Sequence, residues 1–205
     1  MIIHPGTATT LAIVLAANAM SVLAQTDVAL RDELLALRES DQSGRLLLEH
    51  AIEQRGPDSP EFQALVDEQI QADSMNLARL KAILSEHGWP SQSMVGREAA
   101  ISAFLILQHA DHSTQVEYLP MVRAAVQAGE LDEWTLAMLQ DRILVGEGKA
   151  QIYGTQFYLD EATNEYELYP IADEARVDAR REALGMEPLA EYVRSIRGDR
   201  AHGRQ

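Results

Sequence analysis

Three short stretches of this chain carry side chains suited to acid-base or ligand-holding chemistry. The first is Gln108-His109-Ala110-Asp111-His112, which follows an apolar run made of Ala99, Ala100, Ile101, Ala103, Phe104, Leu105, Ile106 and Leu107. Polar groups buried without partners cost roughly 1 to 3 kcal/mol each, so this cluster must either reach a pocket or close into a network. An imidazole, with an ordinary pKa of about 6.5, exchanges protons near neutrality. His109 is therefore a candidate general base, with Asp111 or Asp141 as the carboxylate that fixes its tautomer. The alternative is a structural histidine at a helix C-terminus, where the dipole favours a cation.

The second stretch is Asp141-Arg142. A buried guanidinium needs an acceptor, and its planar fork suits either an internal carboxylate or an anionic ligand. The third is Gln151-Ile152-Tyr153-Gly154-Thr155-Gln156. On a strand, Gln151, Tyr153 and Thr155 would share one face and Ile152, Gly154 and Gln156 the other, with the glycine admitting a close neighbour. A hairpin packed on helices, with Gly154 at a bulge, fits the same spacing. Gln108, Arg142, Gln151, Tyr153, Thr155 and Gln156 are the candidate substrate-binding set, and His109, Asp111 and Asp141 the candidate catalytic set.

Weaker signals fall to plainer readings. Asp41-Gln42 with Arg45 has the spacing of an ordinary surface ion pair, although it would also suit a site-facing cluster. His87-Gly88-Trp89-Pro90 reads as a helix stop. A metal site from His109, Asp111 and His112 is disfavoured, because residues so close at a helix end rarely supply three ligands, and no metal is assigned. The acidic turn near Asp160 lacks the alternating oxygens of a calcium loop. There is no HExxH, GxSxG, P-loop or dinucleotide fingerprint, and no cofactor is indicated.

The elements that must position these residues are mainly helices. Apolar spacing predicts a helix from Val28 to about Gln54, loosened at Gly44. Ser59-Pro60 starts a second that ends at Gly88, and a third runs from about Gly96 to Gln108. Being apolar on its faces, the third belongs at the centre of a bundle. A helix capped by Ser113 follows, kinked or divided at Pro120, and then one capped by Asp132 and ending at Gly146 and Gly148. Aromatic and β-branched residues then predict one β-hairpin near 150–169, followed by short helices over Val177 to Leu184 and Leu189 to Ile196. The expected fold is a mainly α, single-domain bundle over 25–205 with one C-terminal hairpin.

The 205 residues hold 17 basic and 32 acidic side chains and no cysteine, for a net charge of -15. That charge argues against nucleic acid and anionic membranes as partners. Without cysteine there is no disulfide, thiolate nucleophile or iron-sulfur cluster. Residues 1 to 24 contain no Lys, Arg, Asp or Glu, and the apolar stretch from Leu11 to Ala24 falls short of the roughly 20 residues a spanning helix needs. With Val22 and Ala24 before Gln25, this reads as a signal peptide, and the protein as periplasmic or secreted, with no stable membrane insertion after cleavage. The n-region departs from the usual pattern in having only His4 and the amino terminus.

Taken in order, Asp41-Gln42-x-x-Arg45, Gly88-Trp89-Pro90, Val95-Gly96, Gln108-His109-Ala110-Asp111, Asp141-Arg142, Gly148-Lys149-x-Gln151-x-Tyr153-Gly154-Thr155-Gln156 and Pro170-Ile171 resemble a bacterial domain family of unknown function, number 6624. Val177-Asp178 and Arg180-Arg181 continue the match, which covers roughly residues 30 to 195. The resemblance implies that these polar positions belong to one site, and it names no activity, cofactor or substrate. The expectation is an exported protein with a polar pocket that takes a small polar or anionic ligand, a hydrolase if His109 acts as general base. The alternatives are a non-catalytic envelope ligand-binding module, or an interaction protein whose polar motifs are structural. None of these residues specifies an oligomeric state.

Overall fold

The computed structural model describes residues 27–160, 163 and 165–202. The expected signal peptide lies outside them. Helices α1 (Val28–Arg55) and α2 (Pro60–His87) are antiparallel, as shown by the pairs Glu33 with Arg79, Arg45 with Asp73 and Arg55 with Glu61. A single turn, α3 (Gln92–Val95), leads into α4 (Arg97–Gln108), and α5 (His112–Gln127) and α6 (Glu133–Gly146) form a second packed pair. Strands β1 (Phe157–Asp160) and β2 (Glu165–Leu168) make an antiparallel hairpin with Phe157 opposite Leu168. A 3-10 turn (Glu174–Arg176), α7 (Val177–Glu182) and α8 (Leu189–His202) follow. Among the described residues, no helix is long and apolar enough to cross a membrane.

Helix α4 sits at the centre, packed against α1, α2, α3, α5 and α6. Its Ala99, Ala103, Phe104 and Leu107 are essentially inaccessible and join Leu34, Leu80, Ile83, Val122 and Leu139 in one core. Ser102, buried in the same helix, donates its hydroxyl to the carbonyl of Glu98 at 2.9 Å, so it adds no unpaired polar group. Phe104 meets Trp134 edge-on at 5.6 Å between ring centres, tying α4 to α6. The apolarity of α4 between Ala99 and Leu107, Ser102 apart, is thus what its position requires.

Several local expectations differ from the structure for identifiable reasons. Helix α1 is continuous through Gly44, where a Cβ would come within 1.9 Å of Gln69 Oε1. The glycine serves close approach of α2 and does not loosen the helix. Helix α5 runs through Pro120 without a break, and its cap is Asp111, whose carboxylate accepts from Thr114 N, two residues earlier than the expected cap at Ser113. Val116, whose carbonyl loses its partner to the proline, lies on the exposed side of that turn.

The largest difference concerns residues 151–156, which do not form a strand. Only Gln151 makes an isolated parallel bridge, to Ile171, and the hairpin begins at Phe157. Residues 152–155 instead fold into a tight turn with Gly154 at φ +73. A Cβ there would lie 2.7 Å from Leu189 Cδ1 and 3.0 Å from Ile171 Cδ1. Gly154→Ala is therefore expected to combine backbone strain with overpacking and to destabilise the protein by about 2 to 4 kcal/mol, read from its urea midpoint. A loss of less than half a kcal/mol would show that the turn is not constrained as described.

Candidate functional site

Two buried carboxylates organise the polar residues, and they do so differently. Asp141, inaccessible on α6, accepts from the backbone N–H groups of Ile152 (2.6 Å), Tyr153 (3.1 Å) and Thr155 (3.1 Å), and from the Thr155 hydroxyl (3.0 Å). Every partner comes from one turn. The carbonyls of the same turn are taken from the other side: Arg180 Nε donates to Ile152 O at 2.9 Å and Arg181 Nη1 to Tyr153 O at 2.8 Å. Gln151 completes the loop, its amide nitrogen donating to Gln156 O and Tyr169 O while its oxygen accepts from Gln156 N. Gln156 Nε2 in turn donates to Thr155 Oγ1 at 2.9 Å. The loop's polarity is consumed internally, which explains its departure from strand geometry: three N–H groups aimed at one carboxylate cannot alternate.

Asp41 is the second buried carboxylate, on α1. Its Oδ1 lies 2.9 Å from His109 Nδ1 and accepts from Arg45 Nη2 at 3.1 Å, while Oδ2 accepts from Gln42 Nε2 at 2.6 Å. Since a carboxylate only accepts, Nδ1 carries the proton of the neutral ring, and Nε2 holds the lone pair. Among the described residues the imidazole makes no other hydrogen bond. Arg45 also bridges to Asp73 at 2.9 and 3.0 Å, and Gln69 supports Asp73 at 2.7 Å. Burial pushes the Asp41 carboxyl up, but hydrogen bonds from His109, Arg45 and Gln42 outweigh it, and the net shift is below the usual carboxylate range.

His109 stands at the C-terminal end of α4, where the helix closes in a tight last turn as the His109 N–H donates to Ile106 O and the Ala110 N–H to Leu107 O. Beside it opens a cavity of about 340 Å³ whose walls include Asp41, Asp73, Ser74, Leu77, Ile106 and Asp111. Arg142 approaches the same helix end: its Nη1 donates to Gln108 O at 2.9 Å, an acceptor it shares with Gln115 Nε2. Among the described residues no carboxylate pairs with Arg142, and its Nε is buried without a partner, as are Arg45 Nε and Gln108 Oε1. Burial, followed by the charge of Arg45, pushes the Arg142 guanidinium down from its ordinary value.

The structure therefore brings His109, Gln108 and Arg142 together, and sets Gln151, Thr155 and Gln156 in a separate network around Asp141. Tyr153 meets that network through its backbone. Neither expected carboxylate orients His109. Asp111 is occupied as the α5 cap, accepting from Thr114 N (3.0 Å), Thr114 Oγ1 (2.7 Å) and the Ser113 hydroxyl, and these bonds hold its carboxyl well below the usual range. Asp141 is engaged by the turn. The orienting residue is Asp41, which the i, i+4 spacing with Arg45 left as a surface pair. His112 packs its ring against Gly146, where a Cβ would lie 2.7 Å from Nδ1. No group of three or more histidine or acidic residues is placed to hold a metal ion among the described residues.

Residues 28–203 match the model of a family of unknown function, DUF6624, and the chain belongs to that family. No curated protein and no solved structure matches it.

The depressed Asp41 carboxyl has a consequence for stability. A group whose pKa is lower folded than unfolded contributes stability that is present above its unfolded value of about 3.9 and lost as pH falls through the folded one. Asp41→Asn is expected to lower the melting temperature at pH 7. The gap from the parent protein should shrink once the pH drops below about 4, where the parent's own carboxyl protonates. Melting curves from pH 7 to 2.5 check this, and a gap that stays constant over that range would contradict it.

Proposed function

We propose that this protein is an exported hydrolase acting on a small anionic substrate, with His109 as general base and Asp41 as its orienting carboxylate. The observation that carries the reading is the imidazole itself: Nδ1 is held by a buried carboxylate, and Nε2 is unclaimed by the described residues beside a 340 Å³ cavity. An acceptor fixed in this way takes a proton without having to reorient. In the proposed step, a water gives its proton to Nε2 as its oxygen adds to the electrophilic centre. The imidazolium, stabilised by Asp41, then returns that proton to the leaving group as its bond breaks.

Two features support an anionic substrate. Arg45 shares the Asp41 carboxylate with His109, Arg142 holds the carbonyl of the adjacent Gln108, and Arg142 lacks a carboxylate partner among the described residues in a chain with a net charge of -15. A ligand carboxylate or phosphate would supply the acceptors that the Arg142 fork lacks. Ser74 lines the same cavity and offers a hydroxyl for substrate contact. The uncharged stretch over residues 1–24 supports export.

The test is a panel of chromogenic esters, amides and phosphate esters, each with and without an anionic substituent, assayed with the chain from Gln25 onward. Against a substrate that is turned over, His109→Ala is expected to lower kcat by about 10² to 10⁴, the range of a lost general base. Arg142→Met is expected to act chiefly on KM, and only for the anionic members of the panel. Undiminished turnover by folded His109→Ala would overturn the assignment. A ligand that raises the melting temperature without being consumed would point to a binding protein instead.

A further inference from the structure

On the other side of the Asp141 turn, α6, α7 and α8 enclose a second hollow of about 300 Å³, lined by Trp134, Met138, Thr155, Arg181, Met186 and Tyr192 among others. Its lining is apolar and aromatic apart from Thr155, Glu187 and one deeply buried cation. Arg181 is 1% exposed. It donates Nε to Glu187 O at 2.6 Å and Nη1 to Tyr153 O at 2.8 Å, and its guanidinium carbon stands 4.8 Å above the centre of the Tyr192 ring. Those two bonds use two of its five N–H groups.

What Arg181 lacks is a counter-ion. Among the described residues no carboxylate lies within ion-pair distance of it; Glu187, which lines the same hollow, and Asp178 and Asp141 act on it only from farther away. Burial pushes its pKa down, and the charges of Tyr192, Glu187, Asp178 and Asp141 offset that only in part. Removing a charge from water without a paired opposite charge is costly, and the cost is recovered when a ligand brings that charge. Thr155 cannot compete for the head group, because its hydroxyl already donates to Asp141 and accepts from Gln156. Trp134, Met138 and Met186 supply polarizable apolar surface of the kind that receives a ring or alkyl chain.

We propose that this hollow is a second binding site, taking a small oxyanion with an aromatic or aliphatic body: the oxyanion on Arg181, the body against Trp134, Met138 and Met186. The site stands apart from the His109 cavity, and nothing in it depends on the hydrolase reading. Its recognition is a fork of N–H donors meeting two oxygens, backed by a cation stacked on a ring.

Methionine-methyl NMR of the chain from Gln25 onward tests it with phenylacetate, phenyl phosphate and the neutral phenylacetamide as probes. Saturable shifts of the Met138 and Met186 methyl signals are expected with at least one of the two anions, at a Kd on the order of 0.1 to 1 mM, fitting ligands of this size. Phenylacetamide should bind at least tenfold more weakly. Met186→Glu, which sets a carboxylate beside the guanidinium, should abolish the anion-induced shift of Met138 and leave the melting temperature equal or higher. Met186→Gln should retain the shift and so separates charge from shape. The proposal is overturned if neither anion shifts these methyls saturably, if phenylacetamide binds as tightly as the anions, or if folded Met186→Glu binds them as the parent does.

Discussion

A carboxylate taken out of water obliges the chain around it to supply donors, and how Asp41 and Asp141 meet that demand decides what each part of the molecule can do. Asp141 is met by three backbone N–H groups and a hydroxyl from a single turn, with Arg180 and Arg181 holding the turn's carbonyls in return. The Asp141 carboxylate is fully engaged in that arrangement, which fastens the C-terminal elements to α6. Asp41 is met by side chains, from His109, Arg45 and Gln42. One of those donors is a ring with a second nitrogen, and satisfying the buried carboxylate through Nδ1 leaves Nε2 as an acceptor at the edge of a cavity.

The position of that ring follows from helix α4. Because α4 is apolar on its faces it is driven to the centre of the bundle, where its C-terminal end can face α1, α2 and α6 together. The unpaired carbonyl of Gln108 at this end draws in Arg142 and Gln115. Two guanidinium groups thus hold the His109 end of the helix, Arg45 through Asp41 and Arg142 through the Gln108 carbonyl. The hollow around Arg181 follows the same logic, since a cation used to hold a backbone carbonyl also fronts a largely apolar cavity.

Much of the architecture was legible in the amino-acid sequence, because long amphipathic helices, glycine stops and an all-apolar central helix are local patterns. The polar end of that helix was legible for the same reason, since four polar side chains directly after an apolar run need partners. The identity of the partner was not. Asp41 and His109 are far apart in the chain, and Asp41 with Arg45 has the ordinary spacing of a solvent-facing pair; only the packing of α1 on α4 shows that Asp41 is buried. The turn at 151–156 was misread as a strand because its aromatic and β-branched residues match one, whereas the demand of Asp141 for three N–H groups is tertiary and overrides that preference. Gly154 was the local sign, since a positive φ and a crowded Cβ position are what such a turn requires.

The claim at the centre of this account is that Asp41 holds the proton of the neutral His109 ring on Nδ1 and leaves Nε2 free to accept one. Long-range proton-nitrogen NMR correlation, with His109 ¹⁵N-labelled, reads this directly. The account predicts the Nδ1–H tautomer in the parent protein, with a shift of population toward Nε2–H in Asp41→Asn. A parent spectrum dominated by the Nε2–H tautomer, or one unchanged by Asp41→Asn, would contradict it.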